Sequence, residues 1–134
     1  MRRRIFIATL LLVFGAGIAW GVAVLPAYFV GSHQRDVTRT LAEWKAEYSG
    51  ISSHGDAVRT AEMLEYVQGY YVVGEGYRSR PHVEDALKVQ RQETVDSFVT
   101  ALQAYTNQDF GTDSAKWLDY LNRVESRSRQ DSAK

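Results

Sequence analysis

The stretch IFIATLLLVFGAGIAWGVAVLPAYFV, residues 5–30, contains no acidic, basic or histidine side chain and decides how the whole chain is interpreted. At about 1.5 Å of rise per residue, a helix over residues 5–25 is roughly 31 Å long, which matches the hydrocarbon thickness of a bilayer. A secretory signal peptide has a shorter apolar stretch, of about 7 to 15 residues. The length therefore predicts an uncleaved transmembrane signal-anchor over residues 1–30.

The residues around this stretch predict its orientation. Arg2, Arg3 and Arg4 come directly before it, and basic residues favour the cytoplasmic side. The N-terminus is therefore predicted to be cytoplasmic, and the rest of the chain periplasmic or extracellular. Small residues at Gly21 and Ala23 leave one alternative open, in which a signal peptidase removes the leader and releases a soluble module.

Two sets of residues inside the stretch are candidates for contact with lipid or with other helices. Trp20 and Tyr28 lie toward its end, where aromatic rings favour the headgroup region, and Pro26 marks a place where the helix could end or kink. Gly17 and Gly21 form a small-xxx-small pair, a spacing that lets two transmembrane helices approach closely. Small residues are also simply common in membrane helices, and that interpretation stays open.

The composition beyond residue 30 excludes several classes of function. Of the 16 basic residues, 13 remain once Arg2, Arg3 and Arg4 are set aside, against 16 acidic residues, so the rest of the chain has a net charge of −3. A mildly acidic chain is a poor ligand for nucleic acid, which needs a clustered positive surface. There is no cysteine, which excludes disulfides, thiolate catalysis and cysteine-ligated zinc.

Helical spacing of apolar residues predicts an all-α fold, in which the transmembrane helix is followed by a small helical bundle or helical-hairpin domain over residues 31–125. Residues 31–34 are interpreted as a polar break, with Asp36 as a possible N-cap for a first helix that ends near residue 48. A second helix is predicted to begin near Asp56. Its end, residues 70–73, would also suit a strand. The longest helix is predicted over residues 82–106 and the last one from about Asp113, before a disordered tail over residues 126–134.

The segment ALQAYTNQDFGTD, residues 101–113, followed by Trp117, resembles the closing helical hairpin of bacterial HEAT-repeat-like proteins, and the resemblance covers about residues 91–121. It implies that Phe110 plugs the hairpin, that Gly111 permits the tight turn and that Trp117 covers the core. Asn107 departs from the pattern, which usually has glycine there, but asparagine tolerates the left-handed conformation. No second copy of the unit occurs at a fixed period, so one or two hairpins are predicted rather than a solenoid.

No group of residues predicts catalysis, a metal site or a cofactor. His33, His54 and His82 are far apart, and no two of them have the i, i+4 spacing that places metal ligands on one helical face. Of the two close carboxylate pairs Glu62/Glu65 and Glu84/Asp85, only Glu62 and Glu65 share a helical face, and their positions suggest solvent around them. The chain is therefore predicted not to be an enzyme.

Aromatic residues are the remaining feature that suggests a function. Periodicity gives no obvious buried place to Tyr66, Tyr77 and Tyr120, and tyrosine is favoured at protein interfaces. Together with the anchor, this predicts a non-catalytic accessory or scaffolding subunit of a multi-subunit membrane complex, whose partners are other transmembrane proteins and the lipid bilayer. The alternative is the exported module described above, which would bind a small ligand or peptide.

Overall fold

A computed structural model describes residues 2–71 and 78–131. These residues form four α-helices and no strand, which confirms the predicted all-α class. The helices are α1, Arg2–Tyr48; α2, His54–Gly69; α3, Pro81–Thr106; and α4, Ser114–Asp131.

The first helix is longer than predicted and joins the apolar stretch to the bundle without interruption. α1 has 47 residues, equivalent to about 70 Å, and it passes through Pro26 and through residues 31–34. The predicted polar break is therefore wrong, as is the predicted N-cap at Asp36, which lies within the helix. The reason is tertiary: Gly31 and Gln34 are buried, so the polar-looking segment is a packing surface.

The C-terminal part of α1 supplies one wall of the bundle core. Val37 and Leu41 are buried, and Trp44 and Tyr48 pack against them from partly exposed positions. These four positions follow the spacing that predicted a helix here. The same helix thus carries both the apolar stretch and part of the core.

α2 begins with a complete capping box. The Ser53 side chain accepts the Asp56 N–H at 3.2 Å, and the Asp56 carboxylate accepts the Ser53 N–H at 2.9 Å. The helix starts at His54, two residues before the predicted position, and ends at Gly69. Tyr70 and Tyr71 form a turn. Residues 72 and 73, the rest of the segment for which a strand was considered, lie outside the described residues.

Side-chain contacts give the helix directions. α1 and α3 run the same way, because Gln34 contacts Ser79 at one end and Ser49 contacts Ser97 at 2.7 Å at the other. α4 runs opposite to α2 and packs on it: Gln68 donates to the Thr112 carbonyl at 3.0 Å near one end, and His54 approaches Glu125 at 3.7 Å at the other. The largest fully buried side chains of the core are Trp117, Phe98, Leu41, Leu64, Leu87, Leu102 and Leu121.

The end of α4 differs from the predicted disordered tail. Residues 126–131 continue the helix as far as Asp131, and the described side chains among them are exposed. Arg129 pairs with Glu125 one turn earlier, a spacing that supports an exposed helix without apolar contacts. Residues 132–134 lie outside the described part of the chain.

Candidate functional site

From Phe6 to Trp20, the described side chains of the apolar stretch have no protein packed around them. Phe6, Leu12 and Trp20 are each about 70% exposed, and the most apolar window of the helix has no buried residue. α1 is thus long and apolar enough to cross a membrane, by length and composition. Apolar surface of this extent is not left in water by soluble proteins without a partner or a bilayer.

The small residues of this stretch are open to approach. A Cβ at Gly17 would meet nothing within 4 Å, and one at Gly21 would meet only Leu25 Cδ1 of the same helix, at 3.7 Å. Tyr28, a predicted interfacial residue, is 62% exposed. Within the described residues, these positions are available to another helix or to lipid.

A cleft opens where the apolar stretch meets the bundle, and we refer to it as the junction cleft. Its volume is about 380 Å³. Its walls are Val24, Ala27, Tyr28, Gly31 and Arg35 of α1 and, around the start of α3, Arg80, His82 and Val83. The end of the cleft near Val24 and Ala27 is therefore apolar and continuous with the exposed surface of α1. The end nearer the bundle is lined by two arginines, Arg35 of α1 and Arg80 before α3.

The close approach of two chain segments creates this cleft. A Cβ at Gly31 would lie 3.4 Å from Ser79 Cβ and 3.9 Å from Arg35 Nη1, so glycine allows the segment before α3 to lie directly against α1. The Ser79 hydroxyl donates to Gln34 Oε1, and the Ser79 N–H donates to the Glu84 carboxylate at 2.8 Å. Gln34 Nε2 is buried and has no hydrogen-bond partner among the described residues.

Sequence reasoning missed the junction cleft. Arg35 and Arg80 are 45 positions apart, and the contacts of Gly31 and Gln34 with Ser79 bring their neighbourhoods together. A partial signal existed: Gly31 lies one turn before Arg35, which is the first basic residue after the apolar stretch. That signal was interpreted as a helix break.

Two of the three tyrosines for which an interface role is predicted, Tyr66 and Tyr120, lie in separate aromatic groups. Tyr66, 53% exposed, packs with Trp44 and Tyr70 at ring-centroid distances of 5.5 and 5.4 Å. Tyr120 is partly buried and packs on Phe110 at 5.7 Å. Tyr77 lies outside the described residues.

The turn before α4 places the residues of the hairpin motif in contact. Trp117 is fully buried, its ring meets Phe110 edge-on at 4.8 Å, and its Nε1 donates to the Gly111 carbonyl at 2.9 Å. Gly111 and Asn107 both have left-handed backbones, with φ of 55° and 53°. Asp109 accepts the Gly111 N–H at 2.9 Å, which holds the pKa of Asp109 below its ordinary value.

The residues considered for chemistry are dispersed. His33 packs edge-on against Tyr71 at 4.9 Å, His54 faces Glu125, and His82 lines the junction cleft. Across residues 2–71 and 78–131, no group of three or more His, Cys, Asp or Glu side chains is placed to hold a metal ion. Glu62 and Glu65 are exposed.

Comparisons with protein-family models, curated proteins and solved structures find no match. The similarity to HEAT-repeat-like hairpins thus stays a prediction.

Proposed function

We propose that this chain is a non-catalytic accessory or scaffolding subunit, anchored in a membrane by the apolar stretch of α1, with its N-terminus cytoplasmic and its bundle periplasmic or extracellular. One observation carries the proposal: the exposed apolar stretch and the buried core residues Val37 and Leu41 belong to a single unbroken helix. A bundle joined in this way has a fixed position relative to the bilayer.

This rigid connection distinguishes a scaffold from a tethered module. A flexible linker would leave the bundle free to reorient, whereas a continuous helix keeps the bundle's aromatic groups at a defined height above the membrane. Such a subunit can brace the outer face of neighbouring membrane proteins. The proposed function requires positioning and needs no reacting group.

The proposed contact inside the membrane is the face that carries Gly17 and Gly21. Both positions are open in the single chain, and glycines four residues apart let a second helix approach closely enough for extensive van der Waals contact. Outside the membrane, the exposed edge of Tyr66 beside Trp44 offers a second contact. Aromatic side chains of this kind are favoured in protein interfaces.

Mild extraction followed by native electrophoresis tests this function. The unmodified protein is expected to migrate in a complex larger than one chain, and Gly17→Leu/Gly21→Leu is expected to shift most of it to the single-chain position. The matched control, Gly15→Leu/Val22→Leu, alters roughly the opposite side of the helix and should leave the complex intact. Migration of the unmodified protein as a lone chain would contradict the proposal.

A further inference from the structure

We infer that the junction cleft binds one anionic phospholipid from the leaflet next to the bundle. One of its acyl chains would lie along Val24 and Ala27, and its phosphate would lie between the guanidinium groups of Arg35 and Arg80. The inference rests on the proposed membrane insertion of α1 and adds to it a specific lipid ligand.

The distribution of chemistry in the cleft matches the two ends of a phospholipid. Val24, Ala27 and Tyr28 form an apolar wall on the side of the exposed stretch, and Arg35 and Arg80 lie on the side of the bundle. A purely polar anion would leave the apolar wall in contact with water, and a neutral apolar ligand would leave two cations without a counter-charge. A lipid with an anionic headgroup satisfies both walls.

The two arginines are free to take a ligand. Within the described residues, neither Arg35 nor Arg80 has a carboxylate within ion-pairing distance, whereas Arg39, Arg59 and Arg123 each have one at 3.0 Å or less. The nearby Glu84 carboxylate accepts the Ser79 N–H at 2.8 Å. Among the described residues that line the cleft, none is acidic.

The height of the cleft also fits a headgroup. If the hydrocarbon core ends near Leu25, the Arg35 backbone lies about 15 Å further along the helix, but side chains on a helix point back toward its N-terminus. The Arg35 guanidinium accordingly lies beside Gly31, 3.9 Å from its Cβ position, only about 9 Å beyond Leu25. The headgroup layer is about 5 to 7 Å thick, so the Arg35 guanidinium lies about 2 to 4 Å beyond its outer edge, where it can contact a headgroup that projects into the cleft.

The contact between α1 and the segment before α3 brings Arg80 into the wall of the cleft. The hydrogen bond from Ser79 to Gln34 and the close approach of Ser79 to Gly31 place the next residue, Arg80, over the cleft. Two cations from distant parts of the sequence thus face one lipid position. A headgroup phosphate can accept hydrogen bonds from both guanidinium groups.

Native mass spectrometry of the full chain in neutral detergent tests the inference, with phosphatidylglycerol or phosphatidylcholine of the same acyl chains added. The unmodified protein is expected to retain one phosphatidylglycerol at least tenfold more tightly than phosphatidylcholine. Each arginine near an anionic headgroup contributes about fivefold, so Arg35→Gln/Arg80→Gln should remove most of this preference. The control Arg59→Gln/Arg123→Gln makes the same charge change far from the cleft and should retain it.

Three further outcomes are decisive. No preference in the unmodified protein, or equal losses in both double variants, would overturn the inference. Displacement of the lipid by an equal concentration of glycerol phosphate would also overturn it, because the cleft would then be a site for soluble phosphates. In parallel, the chain is inserted into pure phosphatidylcholine vesicles and washed with carbonate. A chain that stays in the vesicles but shows no lipid preference would contradict this inference alone, whereas a chain that is extracted would contradict the proposed membrane anchor.

Discussion

The Thr94 hydroxyl shares its hydrogen bond between the Gln90 carbonyl of its own helix, at 2.8 Å, and the backbone carbonyl of Leu41, at 3.1 Å, in the buried contact between α3 and α1. Leu41 belongs to the same helix as the apolar stretch, so this bond and the apolar contacts around it join that helix to the bundle. The rigidity proposed for the protein depends on this contact.

Thr94→Val is expected to destabilise the bundle by about 1 kcal/mol, because it removes the hydrogen bond of a buried hydroxyl. The Leu41 carbonyl still accepts a backbone hydrogen bond within α1, so the substitution leaves no unpaired acceptor. Urea unfolding of the full chain in mild detergent measures the change. Thr100→Val, the same substitution at an exposed position of α3, serves as the control. Equal effects of the two substitutions would show that the bond to Leu41 contributes nothing.

Gly111→Ala is expected to lower the unfolding free energy by about 1 to 2 kcal/mol. Residue 111 has a φ of +55°, and a Cβ is unfavourable in the left-handed region. Gly50→Ala is the matched control: its Cβ would meet nothing within 4 Å and it has no positive φ. We expect the control to change the unfolding free energy by a few tenths of a kcal/mol at most. A neutral Gly111→Ala would show that the turn before α4 has another accessible conformation.

The helices of the bundle could be predicted because each has an apolar stripe with helical period. The start of α3 at Pro81 and the start of α4 at Ser114 were each found to within a residue. The continuity of α1 could not be predicted in this way, because glycine, serine and glutamine at positions 31, 32 and 34 favour a break when considered locally. Only the contact of Gly31 and Gln34 with Ser79 explains why the helix continues there.

Asp56 should make folding of the bundle sensitive to acid. Hydrogen bonds from Ser52 and Ser53 lower the pKa of Asp56 from 3.8 to about 2. Because the folded-state pKa lies below the unfolded value, this stabilisation is fully present above about pH 4 and is lost as the pH falls toward 2. The difference in unfolding free energy between the unmodified protein and Asp56→Asn should therefore shrink over that range, as measured by urea unfolding.

Glu62→Gln is the control for this pH dependence, since Glu62 is an exposed carboxylate on the same helix. The difference in unfolding free energy between Glu62→Gln and the unmodified protein should stay nearly constant between about pH 5 and pH 2. A constant difference for Asp56→Asn as well would show that the capping box of α2 does not depend on the charge of Asp56.

Gln34→Met is expected to change the unfolding free energy by about 1 kcal/mol or less in either direction, because removal of the unpaired amide nitrogen offsets the loss of the acceptor for the Ser79 hydroxyl. The substitution keeps the volume of a fully buried side chain and removes an amide nitrogen that has no partner among the described residues, and an unpaired buried donor is costly. Leu41→Ala, expected to cost about 2 to 5 kcal/mol, verifies that the assay responds to core changes. A loss above about 2 kcal/mol for Gln34→Met would reveal a partner for the amide.

The candidate site illustrates which parts of a function can be predicted from one sequence. The candidate membrane span depends on a local property, the run of uncharged residues 5–30, and could therefore be predicted from the sequence. The junction cleft depends on a long-range contact that brings Arg80 beside Arg35, and no periodicity encodes that contact. The end of α4 was missed for a related reason: pairs such as Arg129 with Glu125 support an exposed helix that has no apolar stripe.

The most direct measurement of the central claim is the intact mass of the protein recovered from cell membranes after an alkaline carbonate wash. We expect the protein to stay in the membrane pellet, with a mass that still includes Arg2, Arg3, Arg4 and residues 5–30. A freely soluble protein whose sequence starts beyond Ala23 would contradict the claim that α1 holds the bundle at the membrane.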